Sequence, residues 1–360
     1  MKEIKVKSIE AGQRFDKFLK KYLREASSGF IYKMLRKKNI VLNGKKADGS
    51  EILNDGDSIK MFFSDQTFDK FTGKTSANDM DNHTSTSKIA NSNMSKNANS
   101  NMSKNDADNK GIDVYTQDGI KCISFKQYKV PIIYENNDLI FFNKPAGLLS
   151  QKSKPEDISL VDILTEYLKS TSEDADAASG FRPGICNRLD RNTSGIVAAG
   201  KSVRGLQALS EVIKNRSVKK LYTCIVEGRV IKGEHMSGYL IKNSNDNIVS
   251  LSQKPVEGAV KIETAYEPVS EMMVSGRAYT RLSVELITGK THQIRAHMAY
   301  TGHPIAGDGK YGSKTKTECG YQLLHAKNLV FDNMDGVLKP LSGMSIEAAV
   351  PENFKIKNSR

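Results

Sequence analysis

The most informative stretch of the 360-residue chain is Asn187-Arg188-Leu189-Asp190-Arg191-Asn192-Thr193-Ser194-Gly195, a polar segment that runs straight into the apolar GIVAAG at 195–200. A carboxylate between two guanidiniums is favoured in its charged form, and an anionic oxygen at the mouth of a buried strand suits a nucleophile. An ordinary loop aspartate has the same local sequence, so Asp190 needs partners before a role can be assigned. Candidates lie downstream. Tyr222 stands in the strand-like run Leu221 to Val226, and Lys290, His292 and Arg295 fall within GKTHQIRAH at 289–297. On a helix starting at His292, with Thr291 as its cap, His292 and Arg295 are three apart and can point the same way. His292 and His297 are five apart, about 140° around a helix, and share no ligand face, so no metal is expected from them or from His303. Phosphate-loop, zinc-protease and serine-hydrolase signatures are absent.

The elements that must position these groups can be traced along the chain. Phe15, Phe18, Leu19 and Tyr22, then Ile31, Met34 and Leu35, recur at helical spacing. Ile40 to Leu42 is β-rich and ends in Asn43-Gly44, a strong turn signal, and Ile59, Met61 and Phe63 alternate. Residues 1–63 read as one module. Residues 64–110 collapse into Asn, Ser, Lys, Asp and Thr, with NSNMSKNA at 91–98 followed by NSNMSKND, and read as a disordered tether. From 111 to 360 strand and helix patterns return without a regular βαβ repeat. Leu139 to Asn143 and Gly195 to Gly200 read as strands, Val203 to Ile213 as a helix, and Arg281 to Ile287 as a strand. That mixture predicts an α+β domain on a mixed, largely antiparallel sheet.

Charge narrows the partner. The chain has 54 Lys plus Arg against 41 Asp plus Glu, a formal +13, which favours a polyanion. Residues 1–63 hold 15 basic and 8 acidic side chains, so the positive field is concentrated there. Lys33, Arg36, Lys37, Lys38, Lys45 and Lys46 are the candidates for phosphate contact. Four scattered cysteines without a C-x-x-C pair read as reduced thiols, and neither a signal peptide nor a membrane span is expected.

Two resemblances sharpen these readings. GQRFDKFLKKYL, SSGFIYKMLRKKNIVLNGKK and NDGDSIKMFF resemble the S4 RNA-binding domain. RLDRNTSG followed by an apolar strand resembles the signature of the pseudouridine synthases that modify large-subunit ribosomal RNA. Four further blocks follow the same family: DLIFFNKPAGLL (138–149), KKLYTCIVEG (219–228), LITGKTHQIRAHMAYTGHPIAGDGKYG (286–312) and LLHAKNLVF (323–331). The resemblance implies that Asp190 is the catalytic carboxylate and that Arg295 salt-bridges it. It implies that Tyr222 walls the uracil pocket and acts as a late general base. Arg188 would enter the RNA stack where the base leaves, and Arg191, Thr193, Lys290 and His292 would contact substrate. Asn187 stands where the family commonly has His, and Lys290 where it has Arg. The implied protein is a cytoplasmic, monomeric isomerase of 23S ribosomal RNA that works without metal or cofactor. A glycosidase would need a second carboxylate. A non-catalytic RNA-binding or ribosome-assembly protein, or a synthase acting on tRNA, are the readings an activity assay must separate.

Overall fold

The apolar spacing near the N-terminus closes into two helices, Phe15–Tyr22 and Ser28–Arg36, in the computed structural model, which describes residues 1–72, 111–171, 180–242 and 248–358. Two compact units are present, Met1–Gly111 with Asp176–Phe181, and Ile112–Ala175 with Arg182–Arg360.

In the first unit the helical faces Phe15, Phe18, Leu19 and Ile31, Leu35 are buried with Ile40, Ile59 and Met61 of a four-stranded antiparallel sheet. Ser27 caps the second helix by accepting the Phe30 N–H at 3.2 Å. Asn43 and Gly44 both take positive φ (50° and 72°), the geometry of a two-residue hairpin turn joining Ile40–Leu42 to Lys45–Lys46. One boundary moves. Residues 65–72, expected in the tether, form the helix Asp65–Thr72, because Phe68 is buried and Phe71 lies 4.5 Å from the Phe30 ring. Residues 73–110 of the expected tether lie outside the described residues.

The second unit is built on a 13-stranded sheet. Across it run Val249–Ser252, Glu234–Lys242, Val260–Val274, Arg277–Leu286, Val218–Glu227, Leu324–Phe331, Ser194–Gly200, Leu139–Lys144, Tyr128–Glu135, Ile120–Phe125 and Asp113–Gln117, while the short strands Gly184–Ile185 and Ser345–Glu347 pair with Ser194–Gly200 and Leu324–Phe331. The unit is α+β as expected: every pairing between these strands is antiparallel except Ser194-Gly195 against His325-Ala326. Strands at the centre are apolar on both faces. Ile140, Phe142, Val197 and Ala199 enter one core, while Leu139, Phe141, Ile196 and Ala198 enter another, which is why these stretches read as continuous apolar runs. Gly195 has a steric reason: a Cβ there would lie 2.2 Å from the Ala326 carbonyl oxygen, so only glycine permits the parallel contact. Among the described residues no helix is long and apolar enough to cross a membrane.

Candidate active site

Asp190 lies in the turn that leads into Ser194–Gly200, and the backbone around it is held on both sides. The Ser150 hydroxyl accepts the Leu189 N–H (3.0 Å) and donates to the Leu189 carbonyl (2.8 Å). The Arg191 carbonyl accepts from the Gly147 N–H (2.8 Å) and from Lys144 Nζ (3.1 Å), and the Thr193 N–H closes onto the Asp190 carbonyl (3.1 Å). Lys144 is fully buried, and its Nζ also reaches the carbonyls of Pro145 (2.9 Å) and Leu148 (2.8 Å). Burial pushes this ammonium down to about 7, opposed by the negative charge of Asp190. Three carbonyl acceptors match the three N–H bonds of the charged form and so tie the 144–148 turn to the Asp190 loop. Asn187 also serves the backbone, donating to Ile196 O (3.0 Å) and accepting the Ala198 N–H (2.8 Å).

The Asp190 side chain itself is 26% exposed, and its Oδ2 accepts from Arg295 Nη1 at 3.0 Å. Arg295 comes from the helix Gln293–Tyr300, 105 positions away. Its other edge forks onto the buried Asp308, with Nε to Oδ2 at 2.7 Å and Nη2 to Oδ1 at 2.8 Å. The ring of Tyr311 lies 5.0 Å beneath the guanidinium carbon. One guanidinium is thus shared between two carboxylates: Asp308 takes the fork and orients it, and Asp190 receives the remaining corner. Partners on every side hold the Arg295 charge firmly, with its pKa moved above the usual arginine value by Asp308 and then Asp190 despite the cost of burial.

Tyr222 belongs to the strand Val218–Glu227 and is 8% exposed. A register shift between Leu221, which pairs with Asn328, and Tyr222, which pairs with Ala326, leaves Lys327 of the partner strand as an extra residue, a bulge opposite Tyr222. Burial, and then the negative charge of Asp190, push its phenol well above the ordinary value. Its hydroxyl has no hydrogen-bond partner among the described residues, which leaves it available to a ligand.

The helix start differs from expectation. Thr291 is not the cap: His292 is, in the left-handed conformation (φ 56°), without a side-chain capping bond. Pinning the loop falls instead to Gln293, whose amide accepts from Thr288 Oγ1 (2.8 Å) and the Lys290 N–H (3.1 Å) and donates to Glu263 O (2.8 Å) and Thr264 Oγ1 (2.9 Å). His292 faces Asp190 from 3.6 Å. Thr193, expected to contact substrate, is 2% exposed, and its hydroxyl accepts the Gln322 amide at 3.3 Å. Arg191 is exposed, but its Nε is committed to the Gly147 carbonyl at 3.1 Å. Arg188 and Lys290 are exposed, and neither has an acidic partner among the described residues. In the first unit Lys33, Arg36, Lys37, Lys38, Lys45 and Lys46 are all exposed and likewise lack acidic partners among the described residues. Lys144, Ser150, Asp308 and Tyr311 were not singled out from sequence. For Lys144, Asp308 and Tyr311 the available signal was a polar residue inside a recognised block, with Asp308 bracketed by Gly307 and Gly309; Ser150 lies just past the end of one.

The remaining histidines bear on stability. His297 reaches Thr264 Oγ1 (2.8 Å), and His325 bridges Ser194 Oγ (2.8 Å) and Ala348 O (3.2 Å); both rings are fully buried. Burial pushes each down to about 4. An unfolded histidine takes up its proton near 6.5, so between about 6.5 and 4 the unfolded chain binds more protons than the folded one. Stability is therefore whole above about pH 6.5 and is lost as pH falls towards 4, by on the order of 3 kcal/mol per histidine at completion. Urea midpoints measured from about pH 7 down to about pH 5 should fall steadily, and a flat series would contradict the account.

Residues 138–300 match a family model described as RNA pseudouridylate synthase. An uncharacterised RNA pseudouridine synthase of Mycoplasma genitalium is 32% identical over 212 residues, 58% of this chain and 65% of its own length. The ribosomal large subunit pseudouridine synthase D of Pseudomonas aeruginosa is 30% identical over 242 residues, covering 63% of this chain and 70% of its own. The ribosomal large subunit pseudouridine synthase C of Rickettsia bellii is 28% identical over 346 residues, 95% of each chain.

Proposed function

Since the chain belongs to the RNA pseudouridylate synthase family, we propose that it isomerises specific uridines of large-subunit ribosomal RNA to pseudouridine, with Asp190 as the catalytic carboxylate. The observation that carries the reading is a partly exposed carboxylate held at one oxygen by Arg295 (3.0 Å), with the buried phenol of Tyr222 near enough to feel its charge. Relatives named for the large ribosomal subunit support the substrate, and the Rickettsia protein does so along nearly the whole chain.

The reaction breaks the bond from N1 of uracil to C1′ of ribose, turns the base, and joins C5 to C1′. A proton leaves C5 and one arrives at N1, so the equation balances without water or redox change. Asp190 supplies the anionic oxygen that attacks the sugar, adds to the base, or takes a ribose proton, and each route needs the same positioned carboxylate. Oδ2 is occupied by Arg295, which leaves Oδ1 to the nucleoside. Tyr222 stacks on the base, and its raised phenol stays protonated while Asp190 is charged. Once Asp190 has spent its charge on substrate, that contribution disappears and the phenol gives up its proton more readily; Tyr222 can then pass its proton towards N1, which must gain one, and as phenolate take the proton that C5 gives up late in the reaction.

Because the reacting atoms lie inside an RNA stack, the nucleotide must be extruded, at a cost of a few kcal/mol. Arg188, planar and exposed, is proposed to fill the vacated place. The first unit, read as an S4-like domain, supplies phosphate contacts through its six exposed basic residues. The protein is proposed to work as a cytoplasmic monomer without a resident cofactor. Mapping pseudouridines in ribosomal RNA from cells with and without the gene should show specific large-subunit positions lost and restored by the wild-type chain; an unchanged map would refute the assignment.

A further inference from the structure

Arg295 is not the only side chain turned towards Asp190. His292 Nε2 stands 3.6 Å from the same Oδ2, and the ring is only 9% exposed. It is brought there by a backbone conformation that a β-carbon disfavours, φ 56°, at the cap that precedes the Arg295 helix. On its far side the imidazole meets Tyr311 edge to face, with ring centroids 5.7 Å apart and planes at 88°, and Nδ1 lies 3.0 Å from the Tyr311 hydroxyl. That hydroxyl also accepts the backbone N–H of Val249 at 3.2 Å.

Counting protons decides how this chain is polarised. A phenol has one proton to give, and a neutral imidazole has one donor and one acceptor nitrogen. With the Val249 amide on one lone pair of Tyr311, the phenol proton is free to be donated to Nδ1, and the imidazole proton then sits on Nε2, facing the carboxylate. The opposite arrangement points two N–H groups at the Tyr311 oxygen, leaves the phenol proton without an acceptor, and sets the bare Nε2 lone pair against the Asp190 anion. We propose that Tyr311 is a positioning residue whose hydroxyl holds His292 in the Nε2–H tautomer, so that a neutral imidazole presents an N–H to the Asp190 oxygen that Arg295 also holds. The proposal rests on the reading of Asp190 as the catalytic carboxylate.

The surroundings keep both groups in the required form. Burial lowers the His292 pKa, with Arg295 and Lys310 pushing the same way and Asp190 and Asp308 opposing, so the ring is neutral at neutral pH. Burial likewise raises the Tyr311 phenol, which keeps its proton. The consequence is directional. Arg295 and His292 both address Oδ2, while Oδ1 has no partner among the described residues, so the two oxygens of Asp190 are made unequal and the free one is presented to substrate.

Tyr311→Phe isolates the hydroxyl, because the ring that supports Arg295 remains. The test uses the full-length protein labelled with ¹⁵N-histidine, in which multiple-bond proton–nitrogen correlations report the tautomer of each imidazole; the His292 signals are identified by their loss in His292→Asn. The wild-type protein should show the Nε2–H pattern, and Tyr311→Phe should convert it to a mixture. In the same variant kcat should fall about tenfold with KM for RNA unchanged, the signature of losing one hydrogen bond that orients the imidazole facing Asp190. A wild-type spectrum showing Nδ1–H or imidazolium at neutral pH overturns the proposal, as does a Tyr311→Phe protein with tautomer and kcat both unaltered. The spectrum requires neither RNA nor turnover, so a protein that leaves ribosomal uridines unmodified would count against the assigned function and not against the tautomer.

Discussion

Asp190→Asn is expected to lower isomerisation by at least about 10⁴-fold while RNA binding stays within a few-fold of wild type. Asn has the shape of Asp, and its amide oxygen can still accept from Arg295, so the loop held by Ser150, Lys144 and Gly147 has no reason to move. Only the anionic charge is lost, and every route proposed for Asp190 needs that charge. Tritium release from RNA carrying [5-³H]uridine reads the step directly, since C5 surrenders its hydrogen in forming the new bond. Filter binding or fluorescence anisotropy of the same RNA gives the binding arm. Turnover within an order of magnitude of wild type would show that another group does the chemistry.

The second large effect is expected at a residue that need not touch substrate. Asp308 accepts both arms of the Arg295 fork inside the protein, at 2.7 and 2.8 Å. Asp308→Asn turns one of those acceptors into an amide donor facing a guanidinium N–H, and it leaves a buried cation with half of its charge balance. Breaking a buried pair in this way costs about 3–5 kcal/mol, enough to lower the thermal midpoint by roughly 10 °C in a unit of this size. Arg295 would also turn to follow the only carboxylate left, Asp190. A catalytic group displaced by about 1 Å loses on the order of 10²-fold in rate, so kcat should drop by about that much while RNA affinity changes little. Calorimetry and the tritium assay on one preparation give both numbers. If kcat were unaltered, Asp308 would be a stability device only and the shared guanidinium would have no catalytic meaning.

Much of this architecture can be read before folding, because its causes are local. Helical spacing of Phe15, Phe18, Leu19 and Tyr22 depends on 3.6 residues per turn, Asn43-Gly44 makes its hairpin through positive φ, and the two-sided burial of 139–144 and 194–200 shows as unbroken apolar runs. Asp190, Tyr222 and Arg295 were reached through the types and order of residues in motifs. Errors fell where two elements compete for the same residues. A polar composition hid the Asp65–Thr72 helix, which exists because Phe68 and Phe71 find aromatic neighbours. Thr291 is a better intrinsic cap than His292, yet the chain enters the helix through a strained histidine because Gln293 ties the preceding loop to Glu263 and Thr264.

Types of group, periodicity and charge were thus written along the chain, down to the carboxylate and the guanidinium that would answer it. Their assembly was not. Asp190 and Arg295 are 105 positions apart, Ser194 and His325 are 131 apart, and no local spacing encodes a 3 Å contact across such distances. That Asp308 takes the fork, that Thr193 turns inward, and that a bulge falls opposite Tyr222 all follow from how 13 strands pair and which polar groups end up buried together. A polar group removed from water must find its partner among whatever the packed sheet brings within reach, and that neighbourhood comes into being only when the sheet closes.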